Sequence, residues 1–157
     1  MVDRAADENH DPVKPMTETD EPLLRSIAAN QPPFANLIGL RVTAATADRV
    51  EAELTAVESL GNRNGVVHGG AIMAAADNLG GLATVLNLSR DFTTATLESK
   101  TNFLRPVPLG DTARAVCVPL HRGRTTMVWQ TTITRADGKV AAIVTQTQMV
   151  LPASRPA

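Results

Sequence analysis

The chain has 157 residues, a net charge of −1 and 43% hydrophobic residues, enough for one domain whose core must be largely aliphatic, since it holds one Trp, three Phe and no Tyr. This charge balance, with no basic stripe and almost no aromatics for stacking, argues against nucleic-acid binding. A lone Cys117 forms no intrachain disulfide, no Cys/His metal cluster or secretory pattern is present, and no apolar run nears the roughly 20 residues of a membrane span, so a soluble cytoplasmic protein is expected.

Residues 1–22 are rich in acids and carry Pro12, Pro15 and Pro22, so they cannot repay their ordering entropy and are expected to form a disordered tail. Residues 23–157 then make the single domain. Residues 23–29 suit a short helix closed by Pro32 and Pro33. Two strands follow, 40–45 and 49–55; in the second, Val50, Ala52 and Leu54 alternate with Glu51 and Glu53, and Asp48 suits the turn between them.

After a loop with Gly61, Asn62, Asn64 and Gly65 the period changes. Ile72, Ala76, Leu79, Ala83 and Leu86 recur at spacings of three and four, which predicts a helix over 69–88 with one buried face. Val, Thr and Ile then dominate four strand-like stretches, 93–104, 111–121, 124–134 and 139–151. Asp137-Gly138 is a hairpin signal between the last two, and Pro106 and Pro108 break the chain after the first. The order predicts an α+β fold with one long helix packed on an antiparallel sheet.

Chemistry concentrates in Asn62-Arg63-Asn64-Gly65-Val66-Val67-His68-Gly69-Gly70, which runs into the long helix. Glycines at a helix start let another molecule approach the backbone, and the unpaired N–H groups there attract negative charge. Such donors stabilise the oxyanion of acyl transfer by about 3 kcal/mol each. Read blandly, His68 caps the helix or fills the core, and Asn62 and Asn64 hold their own loop. No nucleotide-binding glycine pattern is present.

Asp77 is the only carboxylate between Glu58 and Asp91. Asp is disfavoured in mid-helix, so it is either a solvated surface group or one held by a specific partner. At about 100° per residue it shares a side with Gly70, Ala74, Gly81 and Thr84, away from Ile72, Ala76, Leu79 and Ala83. A stripe of small residues there predicts close approach of a second subunit. His68 and Asp77 differ by about 180° in heading and about 13 Å along the axis. Either they serve separate purposes or a symmetric partner completes a shared site.

These residues resemble the hotdog-fold thioesterases, specifically the PaaI-like (phenylacetate-pathway) acyl-CoA thioesterase branch. The match consists of Asn62-x-x-Gly65-x-x-His68-Gly69-Gly70, Asp77 nine residues after the histidine, Asn102-Phe103-Leu104-Arg105-Pro106 with Gly110-Asp111 soon after, and Asp137-Gly138-Lys139. It covers about residues 37–151. The resemblance implies a long central helix wrapped by a single antiparallel sheet, assembled as a homodimer with a continuous sheet and as a homotetramer that is a dimer of dimers. It implies an active site between two subunits, in which Gly69 N–H polarises the thioester carbonyl and the partner's Asp77 acts as general base or nucleophile. Asn62 and His68 would orient the carbonyl, water or carboxylate, and Thr96 falls where relatives place a hydroxyl that helps position water.

The substrate implied is an acyl-CoA, with no cofactor and no metal. Gly70 and Met73 would line the site, Leu79 would join Met73 in the acyl pocket, and Arg105, Arg122, Arg124 and Lys139 are candidate contacts for CoA phosphates, the alternative for each being a solvated surface charge. Two other readings are a hotdog hydratase or dehydratase acting on an acyl chain, and a non-catalytic acyl-CoA binding module.

Overall fold

The structure, a computed structural model, describes residues 20–153. The expected tail lies outside these residues except for its last few, and Glu21 and Pro22 form the first turn of helix α1 (Glu21–Ala29). A proline suits this position because the first helical N–H groups have no intrahelical partner. Pro32 and Pro33 follow α1 as expected, but Pro33 also opens a short helix not foreseen from sequence, α2 (Pro33–Leu37).

Six strands, β1 (Leu40–Ala45), β2 (Val50–Thr55), β3 (Phe92–Phe103), β4 (Thr112–Arg122), β5 (Thr126–Thr134) and β6 (Val140–Pro152), form one antiparallel sheet in the order β1-β2-β4-β5-β6-β3. The long helix α3 (Gly69–Val85) packs against this sheet, touching β2 through β6. This is the α+β architecture expected from the element order, and the long helix against one antiparallel sheet is the hotdog arrangement that the resemblance implies. Ile72, Ala76, Leu79 and Ala83 of α3 are buried against Val50, Trp129, Ile133 and Val144 of the sheet, so the stripe read from the sequence is the core-facing one.

Three departures from the sequence expectation have local causes. Helix α3 ends at Val85, three residues early, because Asn87 Nδ2 donates to Ala83 O and to Ala47 O, both at 2.8 Å, satisfying the helix end and tying it to the β1–β2 turn. Pro119 is accommodated within β4 by a register shift between Pro119 and His121, which leaves Leu120 as the extra, exposed residue. Thr84, expected to share the open face with Asp77, is fully buried; its hydroxyl donates to Gly80 O and accepts from Trp129 Nε1, both at 2.8 Å.

A second register shift, between Thr96 and Glu98, positions the site. It leaves Leu97 as the extra residue and switches which members of β3 face the helix. Before it Thr94 and Thr96 point inward, and after it Ser99, Thr101 and Phe103 do. A strand without the bulge could not aim both Thr96 and Phe103 at α3, since they would fall on opposite faces.

Two expectations follow from the core. Thr84→Val keeps the shape but leaves the Trp129 indole N–H buried without an acceptor, so unfolding free energy from urea titration should fall by about 1–3 kcal/mol. Burial pushes the Cys117 thiol from 9.0 up to about 11, with a hydrogen bond from Thr131 opposing in part. The unfolded chain therefore loses this proton at lower pH than the folded one. The stability associated with the neutral thiol is intact below about pH 9 and is lost as pH climbs towards about 11, which denaturation across that window for Cys117→Ala against the parent should register as a flatter alkaline decline.

Candidate active site

Helix α3 carries functional groups at two separate places, its N-terminus and its middle. The loop leading into it is tightly tied. Asn62 N donates to Val66 O at 2.8 Å, Gly65 adopts φ 71°, and Asn62 Oδ1 accepts from Asn64 N at 2.8 Å. The oxygen of Asn62 thus serves its own loop, as the bland reading had it, while no hydrogen bond among the described residues engages its Nδ2 donor. His68 N donates to Leu60 O and Val67 N to Val107 O, which fixes the approach to the helix.

His68 is the N-cap, and its Nδ1 accepts from Gly70 N at 2.9 Å. With Nδ1 an acceptor, the neutral ring carries its proton on the exposed Nε2. The capping bond alters the expected donor set. The Gly70 amide is occupied by His68, whereas the Gly69 amide, at the first helical position, meets no acceptor among the described residues. Gly69 also permits a close contact, since a Cβ there would lie 3.0 Å from the tip of the Phe103 ring. Asn62, Gly69, Phe103, Leu104 and Arg105 line one cleft of about 430 Å³.

Asp77 stands eight residues further on and opens to another cleft, of about 590 Å³, lined by Leu23 and Ile27 of α1, by Leu82 and Val85 of α3, and by Thr96. Its Oδ1 accepts two hydrogen bonds, from Thr96 Oγ at 2.9 Å and from Gln146 Nε2 at 2.7 Å. None among the described residues reaches Oδ2. Thr96 Oγ in turn accepts from Gln148 Nε2 at 2.9 Å, and Gln148 Oε1 accepts from Thr94 Oγ at 2.8 Å. Because amide hydrogens point at the Thr96 oxygen, its own proton goes to Asp77. A tethered carboxylate with one free oxygen can take a proton or attack an electrophile.

Gln146 and Gln148 were not anticipated from sequence. Both are 1% exposed, and both fall on the inward parity of β6 shared with Ala142 and Val144. Polar residues at core positions of an interior strand were the available signal. Gly80 belongs with them, since a Cβ there would lie 2.3 Å from Gln146 Oε1.

The remaining sequence candidates divide by location. Arg105 lies at the Gly69 cleft and donates to Val140 O at 2.9 Å. Lys139 sits in the β5–β6 hairpin near that end, its Nζ 3.4 Å from Asp137. Arg122 is ion-paired with Asp48 and bonded to Asn87, which puts it beside the C-terminal end of α3, and Arg124 is in the adjacent β4–β5 hairpin. Within one chain these two are a helix length from Gly69. Met73 is 40% exposed on the open face of α3, but Leu79 is a core residue with no exposure and cannot line an acyl pocket. No group of three or more His, Cys, Asp or Glu among the described residues could hold a metal, and no helix among them is long and apolar enough to cross a membrane.

Comparison with known proteins agrees with this architecture. The model of the thioesterase superfamily matches residues 64–142, half of the chain, from the Asn64-Gly65 turn to the start of β6. A point variant of thioesterase PA1618 from Pseudomonas aeruginosa superposes with a TM-score of 0.80 and 29% identity, covering 87% of this chain and 99% of that one. Streptococcus mutans smu.793, solved bound to acetyl CoA, gives 0.68 and 28%, covering 74% and 91%. The PaaI protein of the Escherichia coli phenylacetic acid degradation operon gives 0.76 at 19% identity, covering 84% and 94%, and shares the fold. The chain belongs to the thioesterase superfamily and carries the hotdog fold.

Proposed function

We propose that the protein is an acyl-CoA thioesterase, hydrolysing a thioester to the free carboxylic acid and CoA, with Asp77 as its catalytic carboxylate. The observation that carries this reading is the asymmetric tethering of Asp77: both hydrogen bonds fall on Oδ1, so Oδ2 stands free at the mouth of a cleft with apolar walls. A thioester is already activated, so a carboxylate, a water and an oxyanion donor suffice without a triad. Water adds to the carbonyl carbon, negative charge collects on the carbonyl oxygen, and the C–S bond breaks to release the CoA thiolate, which takes up a proton. Asp77 either accepts the proton of that water or attacks first to form an anhydride that water cleaves. Each route uses the same free oxygen.

The Gly69 amide is the oxyanion donor in this scheme. Its availability, together with the positive end of α3, supports the role. Asn62 Nδ2 is a further donor in the same cleft, His68 Nε2–H is one on the neighbouring surface that His68 shares with Asn62, Gly70 fixes the His68 ring, and Thr96 orients the carboxylate. Met73 lies on the open helix face between the two clefts. Arg105 and Lys139 are placed to meet CoA phosphates at the Gly69 end, and Arg122 and Arg124 would do so only from another chain. CoA is the substrate's carrier and no cofactor is required. The acetyl CoA bound to smu.793 supports this ligand class.

Gly69 and Asp77 open to different clefts of one chain, which supports a homodimer in which each site takes its amide from one subunit and its carboxylate from the other. The edge strand β3 supports the same assembly. It is 12 residues long, pairs with β6 on one side only among the described residues and exposes Leu97, a surface that pairs with another strand unless blocked. A further pairing of dimers into a tetramer and a cytoplasmic setting, suited to the buried thiol of Cys117, complete the reading.

Asp77→Ala should lower kcat for acyl-CoA hydrolysis by roughly 10²- to 10⁴-fold with the fold intact, as followed by thiol release. Near-normal turnover would remove Asp77 from the mechanism, and carboxylate loss without any wild-type thiol release would point to hydration or to binding alone. Co-refolding equal amounts of Asn62→Ala and Asp77→Ala chains tests the shared site. Half the dimers are then mixed, and each mixed dimer holds one intact site, so about a quarter of wild-type site number should return. Mixed dimers with only mutant-level activity would show that the two residues act within one chain.

A further inference from the structure

We propose that Gln146 is a positioning residue for Asp77, seated by Gly80, and that it fixes the orientation in which the carboxylate faces the substrate. The inference rests on Asp77 being the catalytic carboxylate. Gln146 is almost wholly buried, yet its amide is only half satisfied: Nε2 reaches Asp77 Oδ1 at 2.7 Å and Thr96 Oγ at 3.2 Å, while Oε1 is buried with no partner. A buried acceptor left unpaired weakens a fold, so an amide at this position is a poor choice for stability alone. An apolar side chain of the same length would fill the space without that penalty.

Geometry accounts for its presence. The Gln146 side chain lies across α3 at Gly80, where a Cβ would come within 2.3 Å of Oε1 and 2.7 Å of Cδ. Only glycine leaves room for the amide to reach the carboxylate one turn earlier on the helix. The opposite orientation would set Oε1 against the charge of Asp77, so the carboxylate selects the N–H end. Thr96 and Gln146 then grip one oxygen from β3 and β6 together, and turning the carboxylate out of its plane about the Cβ–Cγ bond of Asp77 would break both bonds. Oδ2 is held towards the cleft in the orientation that attack or proton abstraction requires.

Gln146→Met removes the donor at similar length. The loss of one hydrogen bond to a charged group predicts a fall in kcat of about 10- to 100-fold. KM should change little, and the melting temperature should hold or rise, because an unpaired acceptor has been removed. Gly80→Ala, which leaves both partners in place, should reproduce the kcat loss by pushing the amide aside, and the double variant should be no worse than either single one. In an Asp77→Asn background Gln146→Met should cause no further loss. The inference is overturned by wild-type kcat in a folded Gln146→Met protein, by parallel losses of melting temperature, KM and kcat, or by an undiminished effect of Gln146→Met on the residual activity of Asp77→Asn. Should Gln146→Met not fold, Gly80→Ala decides alone, and full activity in it is the refuting result. If Asp77→Ala itself retains activity, the underlying reading fails instead.

Discussion

A carboxylate in the middle of a helix that faces a sheet must be met by donors or turned out to water, and the contact of β6 with α3 at Gly80 makes the first outcome possible. Gln146 crosses the helix only because position 80 lacks a side chain, and the bulge at Leu97 brings Thr96 to the same oxygen from the neighbouring strand. Backbone register and one missing methyl therefore determine the orientation of Asp77. The apolar remainder of α3, Ile72, Ala76, Leu79 and Ala83, holds the helix at the distance where these polar contacts close.

The helix and strands were legible because their periods are clean. Ile72 to Ala83 recurs at helical spacing, and Val50, Ala52 and Leu54 alternate with acids, so binary pattern alone assigned both elements. The helix end was misread because Leu86 continues the apolar stripe while the side chain of Asn87, through a contact with Ala47 forty residues away, terminates it. Thr84 was placed on the open face because an ideal helical wheel ignores how the twisted sheet wraps α3, and Trp129 reaches over to it.

The candidate site was legible where its residues lie in local spacing and hidden where it depends on the packing and register of distant strands. Asp77, Gly69, His68 and Asn62 lie within one short segment, and their pattern is what carries the family resemblance. Gln146 lies 69 residues from Asp77 in sequence and meets it only through the packing of β6 on α3, and Thr96 joins them only through the β3–β6 register, which a bulge shifts by one. The two bland readings for the loop also hold in part. His68 does cap the helix, and Asn62 does brace its turn, yet capping by His68 is what leaves Gly69 as the open amide, and the turn uses only the oxygen of Asn62.

The two ends of the proposed chemistry draw on different physics. Charge that develops on a carbonyl oxygen at Gly69 would sit at the positive end of α3, where unpaired amides and the helix dipole act together, an effect that fades beyond the first turn. Asp77 is more than two turns away and receives little of that field. Its stabilisation has to come from side chains, which is why the sheet opposite it carries Thr94, Thr96, Gln146 and Gln148 where a purely structural sheet would carry aliphatics. Placing the carboxylate at the N-terminus as well would set it against the very oxyanion that the amide is there to hold. In the proposed homodimer, keeping the two charges apart on one helix and bringing a second helix to pair the amide of one with the carboxylate of the other would let each be stabilised by its own surroundings until a thioester lies between them.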